Sequence, residues 1–519
     1  MTANAGLPSP SGDNGLKRQV ASALFWVALA QVASRGLAFV TLLILAKLVA
    51  PAMFGLVGMA MVALNALALF QDIGFESALI YRRKALDEAS HTAFVTVILS
   101  SLALTVLALA AAPLVGRFFR EEAVVPVMRV LALTILISSV GRVPLVLLSR
   151  ELDFRRRIFP ELTASVIASI AAIVLALRGF GVWSLVWREL LRVTLSSVLV
   201  WFVSPYRPRW QFNPAAARDL FAYGKHIVSS QTLIFLITNV DNAIIGRYVG
   251  DAALGFYQFA YNTSNQPATQ IAGVLTQVMF PVFSKMADGD PAQARIMRAR
   301  YYLTTVRYVT WITTPIAVAT ILFAPAFIRG LYGEVWAPAI VPLQLLAVYG
   351  FIRSIAANMG SVFRALGKPQ WLTWIAVWRL VTMAGLLIPV SLRWGIDGVS
   401  WLSAIVAVVD FVISAWLVGK LVDAPWRAYV RMLAPTWAAA LAAGLVALWL
   451  YPALPFVKAA FNLLLAGGLL VAGYLALAWL IDPRLRETLR AGWRWLQRVL
   501  HGRKPVPAGQ ASTGAKPGL

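Results

Sequence analysis

The sequence predicts an all-α integral membrane protein of about fourteen transmembrane helices, with two six-helix lobes related as a parallel repeat and two extra C-terminal helices. Three observations predict it. The 519 residues are 60% hydrophobic and 13% charged, with a mean hydropathy of +0.74, whereas a soluble chain carries about a quarter charged residues. Apolar runs such as "FGLVGMAMVALNALALF" and "TAFVTVILSSLALTVLALAAAPLVG" recur from end to end, each near the roughly 20 residues that carry a helix across a bilayer. And one stretch is written twice, as "ILAKLVAPAMFGLVGMA" at 44–60 and "IIGRYVGDAALGFYQFA" at 244–260.

In chain order, residues 1–17 form a polar N-terminal tail on the cytoplasmic side. No A-x-A-type cleavage site follows it, so no removable signal peptide is expected. Helices are expected at 20–46, 53–72, 90–115, 124–148, 160–178 and 182–203, forming an N-lobe over 18–210. A C-lobe over 211–421 holds helices at 223–249, 253–283, 302–328, 337–362, 370–391 and 396–420. Helices 13 and 14, at 430–450 and 459–481, occupy 422–483, and 484–519 is a basic cytoplasmic tail.

The formal net charge of +24 would suggest nucleic acid in a soluble protein. Here the basic residues cluster in alternate loops, as in "RRK" at 82–84 and "FRRR" at 154–157, and after helix 14. Lys/Arg-rich loops lie inside, which places both termini in the cytoplasm and leaves no nucleic-acid partner. The absence of cysteine excludes disulfides, thiolate nucleophiles and Cys-ligated metal. His91, His226 and His501 fit no metal-ligand spacing, and no cofactor or resident metal is expected.

The two copies of the repeated stretch cover the first hairpin of each six-helix set. A second echo joins "GFGVWSLV" (179–186) to "GIDGVSWLS" (395–403), each opening the sixth helix of its set. Six spans return the chain to its starting side, so both halves run the same way and a midplane site between them is expected.

Arg35, Arg188, Arg192, Arg353 and Arg379 lie two or more turns from any expected helix end. An Arg at mid-helix costs about 2.5–3.5 kcal/mol to insert and therefore faces a bundle interior or water. Snorkelling accounts for Arg129 and Arg307, while Arg142 fits either description. Arg188 and Arg192 share a helix face, and Glu189 is expected to point elsewhere, pairing only loosely with Arg192. An anion site outweighs structural pairing as the reading of these two.

On helix 8, Asn262, Asn265, Gln266, Thr269, Gln270, Gly273 and Gln277 fall within an arc of about 140°. Lipid cannot satisfy such a row. It is expected to line a cavity, with interhelical hydrogen bonding the alternative. Asn65 holds the position equivalent to Asn265. Asp241 and Asp410 lie deep, either neutralising an Arg of the opposite lobe or binding H⁺ or Na⁺ for coupling. Asp72 and Glu76 are candidates for an inner gate, and Trp371, Trp374 and Trp378 form a stripe that suits packing better than sugar stacking.

The stretches "LFWVALAQVASRGLAFVTLLILAKLVAPAMFGLVGMAM", "QDIGFESALIYRR", "SRELDFRRR", "NVDNAIIGRYVG" and "LGFYQFAYNTSNQPATQIAGVLTQVMFPVFSKM" resemble the Wzx-type polysaccharide flippases, in the colanic-acid-like branch. That family belongs to the multidrug/oligosaccharidyl-lipid/polysaccharide exporter superfamily. The resemblance spans about residues 17–420, and its Asp–Ile–Gly–Arg–Gly pattern falls on Asp241, Ile244–Arg247 and Gly250. It implies a cationic central cavity, alternating access, and undecaprenyl-pyrophosphate-linked oligosaccharide as cargo, with a polysaccharide polymerase and co-polymerase as partners beside the membrane lipids. The alternatives are a multidrug-type exporter of the same superfamily and a membrane enzyme of polysaccharide assembly. Deep arginine disfavours cationic drugs, and outer loops of about a dozen residues or fewer disfavour a polymerase or glycosyltransferase, so the chain is expected not to be an enzyme.

Overall fold

In a computed structural model, the described residues are 33–72, 75–76, 79, 86–151, 153–265, 269, 291–422, 424–453, 459–483 and 486–487. They are helical almost throughout. The first half contains α1 (33–48), α2 (Pro51–Asp72), α3 (Leu86–Phe119), α4 (Val124–Arg150), α5 (Phe154–Leu177) and α6 (Val182–Val203). After an extended segment come α7 (Pro214–Tyr248), α8 (251–265), α9 (Pro291–Tyr332), α10 (Ile340–Ala365) and α11 (Gln370–Val422), then α12 (Trp426–Leu450) and α13 (Ala459–Ile481). Among the described residues, nine helices are long and apolar enough to cross a membrane. Helix α6 lies outside those nine, and it carries Arg188, Glu189 and Arg192 within 22 residues.

Several helices outrun the apolar stretches that predict them. Helix α3 starts at Leu86, α7 at Pro214 and α9 at Pro291, because a helix satisfies its own backbone and need not stop where the polar boundary begins. The expected helices 11 and 12 form one 53-residue element interrupted at Gly395, whose φ of 56° and ψ of −143° suit glycine alone. Gly181, which starts α6, has φ 54° and ψ −125°. The two sequence echoes thus share a backbone break.

The repeated hairpins meet directly. A Cβ added at Gly55 of α2 would overlap the carbonyl oxygen of Asp251, and one at Gly255 of α8 would overlap that of Pro51. Each glycine therefore nests on the first residue of the other's helix, the close backbone approach that small residues permit in membrane bundles. Around them, Arg247 of α7 donates to the carbonyls of Arg117 and Phe118, with its guanidinium 5.5 Å from the Phe118 ring centre. Trp336, in the 3₁₀ turn Glu334–Ala339, packs against Phe54 of the first half and Phe256 and Phe259 of the second. One buried cluster, including Met59, Val127, Leu131, Tyr257, Leu343 and Val399, runs across both halves.

The extended segment 204–213 is fastened to α3. The backbone N–H groups of Arg209 and Asn213 donate to His91 Nδ1 and Thr92 Oγ1, both at 3.2 Å. Tyr206 stacks on the His91 ring at 5.6 Å, and burial, with the Asp87 charge adding to it, holds its phenol above the usual range. Helices α12 and α13 pack on α9 through Ala439, Ala440, Ala443, Ala447 and Ala466 against Trp311, Val318 and Phe323.

Candidate functional site

Helix α6 presents Arg188 and Arg192 one turn apart. Glu189 does not point elsewhere. It forms a two-point ion pair with Arg192, whose Nε donates to Oε2 at 3.0 Å while NH2 meets Oε1. Residues three apart on a helix are neighbours as much as residues four apart, and the planar guanidinium matches a carboxylate edge. Glu161 of α5 adds to the field on Arg192. Arg188 is left over. Its Nε is buried with no hydrogen-bond partner among the described residues, and the Glu189 charge already held by Arg192 is shared with it.

The second half holds a comparable cluster. Arg379 and Asp410, on the two arms of α11 either side of Gly395, form an ion pair through Asp410 Oδ2. The partner thus comes from the same half and not the opposite one, because the break at Gly395 lets the two arms fold against each other. The Asp410 side chain is 4% exposed and that of Arg379 18%. Asp410 Oδ1 is buried with no hydrogen-bond partner among the described residues. Arg353 of α10 lies with its guanidinium carbon 5.9 Å from the Tyr349 ring centre, within reach of the Asp410 charge. Each half therefore gathers two buried or half-buried arginines around one intimately paired carboxylate.

Asp241 is not bonded to an arginine among the described residues. Its Oδ2 accepts from the Tyr257 hydroxyl at 2.7 Å, and its Oδ1 from the backbone N–H of Asn242. Tyr257 stacks near Tyr261 at 6.3 Å and Tyr261 near Tyr349 at 6.2 Å, so an aromatic row joins Asp241 to Arg353. The sequence reading missed these tyrosines, although Tyr257 and Tyr261 are spaced four apart on α8, as residues sharing a face must be.

The remaining candidates are dispersed. Arg35 and Asn65 are exposed, and Asn262 and Thr269 are half-buried. Asn265 is buried against α10, its Cα 2.8 Å from where a Gly350 Cβ would lie, with Oδ1 unbonded among the described residues. The missing Cβ at Gly350 lets the helices close over it. The Thr269 hydroxyl donates to the Asn265 carbonyl. Gln266, Gln270, Gly273 and Gln277 lie outside the described residues.

Asp72 ends α2 with its side chain outside the described set, and Glu76 is half-buried. The neighbouring Gln71 is more informative. It is buried, donates to Ser101, Ser138 and the Ile135 carbonyl, and accepts from Arg142 at 3.2 Å. Arg142 is thus held inside the first half. The tryptophan stripe splits, with Trp371 against Phe363, Trp378 on the core and Trp374 exposed.

Residues 44–341 match the family described as "Polysaccharide biosynthesis protein". The teichuronic acid biosynthesis protein TuaB of Bacillus subtilis is 27% identical over 381 residues, covering 72% of this chain and 77% of that protein. The succinoglycan biosynthesis transport protein ExoT of Rhizobium meliloti is 26% identical over 406 residues, covering 77% and 80%. Among solved structures, the lipid II flippase MurJ superposes with a TM-score of 0.68 at 15% identity, covering 87% of this chain and 98% of that one. The chain therefore shares the helical fold of that structure.

Proposed function

The chain belongs to the polysaccharide biosynthesis protein family, and on that premise we propose that it flips lipid-linked oligosaccharide across a bacterial inner membrane. The cargo is an undecaprenyl-pyrophosphate-linked repeat unit. Both named relatives serve polysaccharide assembly, one as a transport protein, and the fold is shared with a flippase of a lipid-linked sugar. The observation that carries the reading is the charge of the two clusters: Arg188 and Arg192 around Glu189, and Arg353 and Arg379 around Asp410. A surplus cation sunk in a bundle is expensive unless an anion visits it. A pyrophosphate offers several charged oxygens that the planar fork of a guanidinium can meet two at a time, whereas a cationic drug would meet repulsion.

In this mechanism residues 18–210 and 211–421 are two lobes, and the Lys/Arg distribution sets both termini inside. The reciprocal contact of Gly55 and Gly255 then closes the outer end while substrate enters from the cytoplasm. The sugar hydroxyls, each costing several kcal/mol if left unpaired in hydrocarbon, stay in the cleft while the polyprenyl tail stays in lipid. The membrane potential, negative inside, favours outward movement of the anion by about 2.3 kcal/mol per charge per 100 mV. Asp241, bonded to a tyrosine, takes H⁺ or Na⁺ to reset the empty protein. A polymerase and co-polymerase receive the product outside.

Arg188 tests the reading. Replacing it with Gln removes charge-assisted bonds of about 1.5–3 kcal/mol, a ten- to hundredfold loss of affinity for a pyrophosphate headgroup. Lipid-linked units should accumulate and surface polysaccharide should fall at unchanged protein level. Normal polysaccharide from Arg188→Gln would sink the proposal.

A further inference from the structure

The last turns of α11 and the start of α12 enclose a groove of about 600 Å³, walled by Val412, Ala415, Trp416, Lys420, Pro425 and Trp426. None of its lining residues belongs to either arginine cluster, although Asp410 stands two positions before Val412 on α11. Val412, Trp416 and Lys420 are spaced four apart and so form one stripe on α11. From the helix interior towards its end, the stripe runs aliphatic, aromatic, basic. Trp416 and Trp426 are 59% and 51% exposed, and Lys420 Nζ sits 3.3 Å from the Trp416 ring centre. Arg427 and Arg431, exposed and four apart, continue the basic surface along α12. Arg295 of α9 pins the groove floor by donating to the Lys420 carbonyl at 3.2 Å. Between 416 and 431 the one acid is Asp423, which lies outside the described residues.

We propose that this groove holds an anionic phospholipid of the surrounding bilayer. Its acyl chain lies along Val412 and the Trp416 ring, its glycerol region at the two tryptophans, and its phosphate between Lys420 and Arg427. The order of side chains along the stripe is the order of regions in a phospholipid. Tryptophan prefers the headgroup boundary, and each Lys or Arg near an anionic leaflet contributes about 1 kcal/mol. A neutral lipid would use the apolar wall but leave the basic rim unanswered, so charge complementarity selects the anionic class. The bound lipid would also wedge the C-terminal helix pair against the body of the bundle. The inference rests on the membrane setting alone and stands whatever the cargo.

The test uses the full-length protein, purified in mild detergent and examined by native mass spectrometry with added phosphatidylglycerol or phosphatidylcholine. Wild-type protein should retain one phosphatidylglycerol more than Lys420→Gln/Arg427→Gln, and titration should show about fivefold weaker binding for each charge removed. Lys420→Arg should bind as wild type, and an unchanged melting temperature in the double variant confirms that the fold is intact. Equal retention by wild type and double variant overturns the proposal, as does equal affinity for phosphatidylcholine. Displacement of phosphatidylglycerol by an equimolar polyprenyl phosphate also overturns it, since the groove would then serve the cargo.

Discussion

Asp410 shows most sharply how one side chain can hold a site together. Its carboxylate is enclosed and has one oxygen bound to Arg379 while the other is unbonded among the described residues. Removing one partner of a buried pair strands a charge and costs about 3–5 kcal/mol, whereas replacing both by apolar groups is close to neutral. Arg379→Met should therefore lower the melting temperature in detergent sharply, and Arg379→Met/Asp410→Leu should recover most of the loss. Export should stay impaired in both, because the guanidinium is absent from both. Recovery of export together with stability would make Arg379 a structural residue. At this scale the sequence was partly legible. Depth in an apolar run exposed Arg188, Arg192, Arg353 and Arg379, but it could not show who pairs with whom. The bond from Glu189 to Arg192 depends on rotamer, and the one from Arg379 to Asp410 on a fold-back over 31 positions. The amide row of α8 left Asn265 undecided, because a stripe looks the same whether it faces water or a neighbouring helix.

At the scale of elements, hydrophobic runs located most helices and missed their ends, since Leu86, Pro214 and Pro291 begin helices in polar sequence. What periodicity could not reveal is where the helices touch. Gly55 and Gly255 fall at matching places of the repeated stretch, yet only the folded chain shows each against the other's helix start. A methyl group at either position meets backbone, which cannot rotate away, so Gly55→Ala should disfavour the closed arrangement of this end by about 1–3 kcal/mol. The chain has no cysteine, so reporter thiols can be placed without background. Labelling of a thiol at Ala52 should rise several-fold in the Gly55→Ala protein, and Gly255→Ala should act alike. Unchanged labelling in both would mean that this contact does not hold the end shut.

At the scale of the whole molecule, the question is whether the two halves separate where they now meet. The same offset that relates Gly55 to Gly255 relates Gly58 to Gln258, and a Cβ at Gly58 would touch the Gln258 amide. The first turns of α2 and α8 thus run beside each other for more than one turn, closing one end of a bundle whose arginine clusters lie in separate halves. Moving a headgroup through that end requires these two helices to part, since neither can bend around the other with glycine already at the contact. Gly58→Cys/Gln258→Cys, joined by a short cleavable thiol cross-linker, should stop export in membrane vesicles, and cleavage of the linker should restore it. Each single variant treated with the same reagent should remain active, which separates locking from modification. Export that continues through the cross-linked protein would mean that the halves need not part here, and the path for the sugar would then have to lie elsewhere in the bundle.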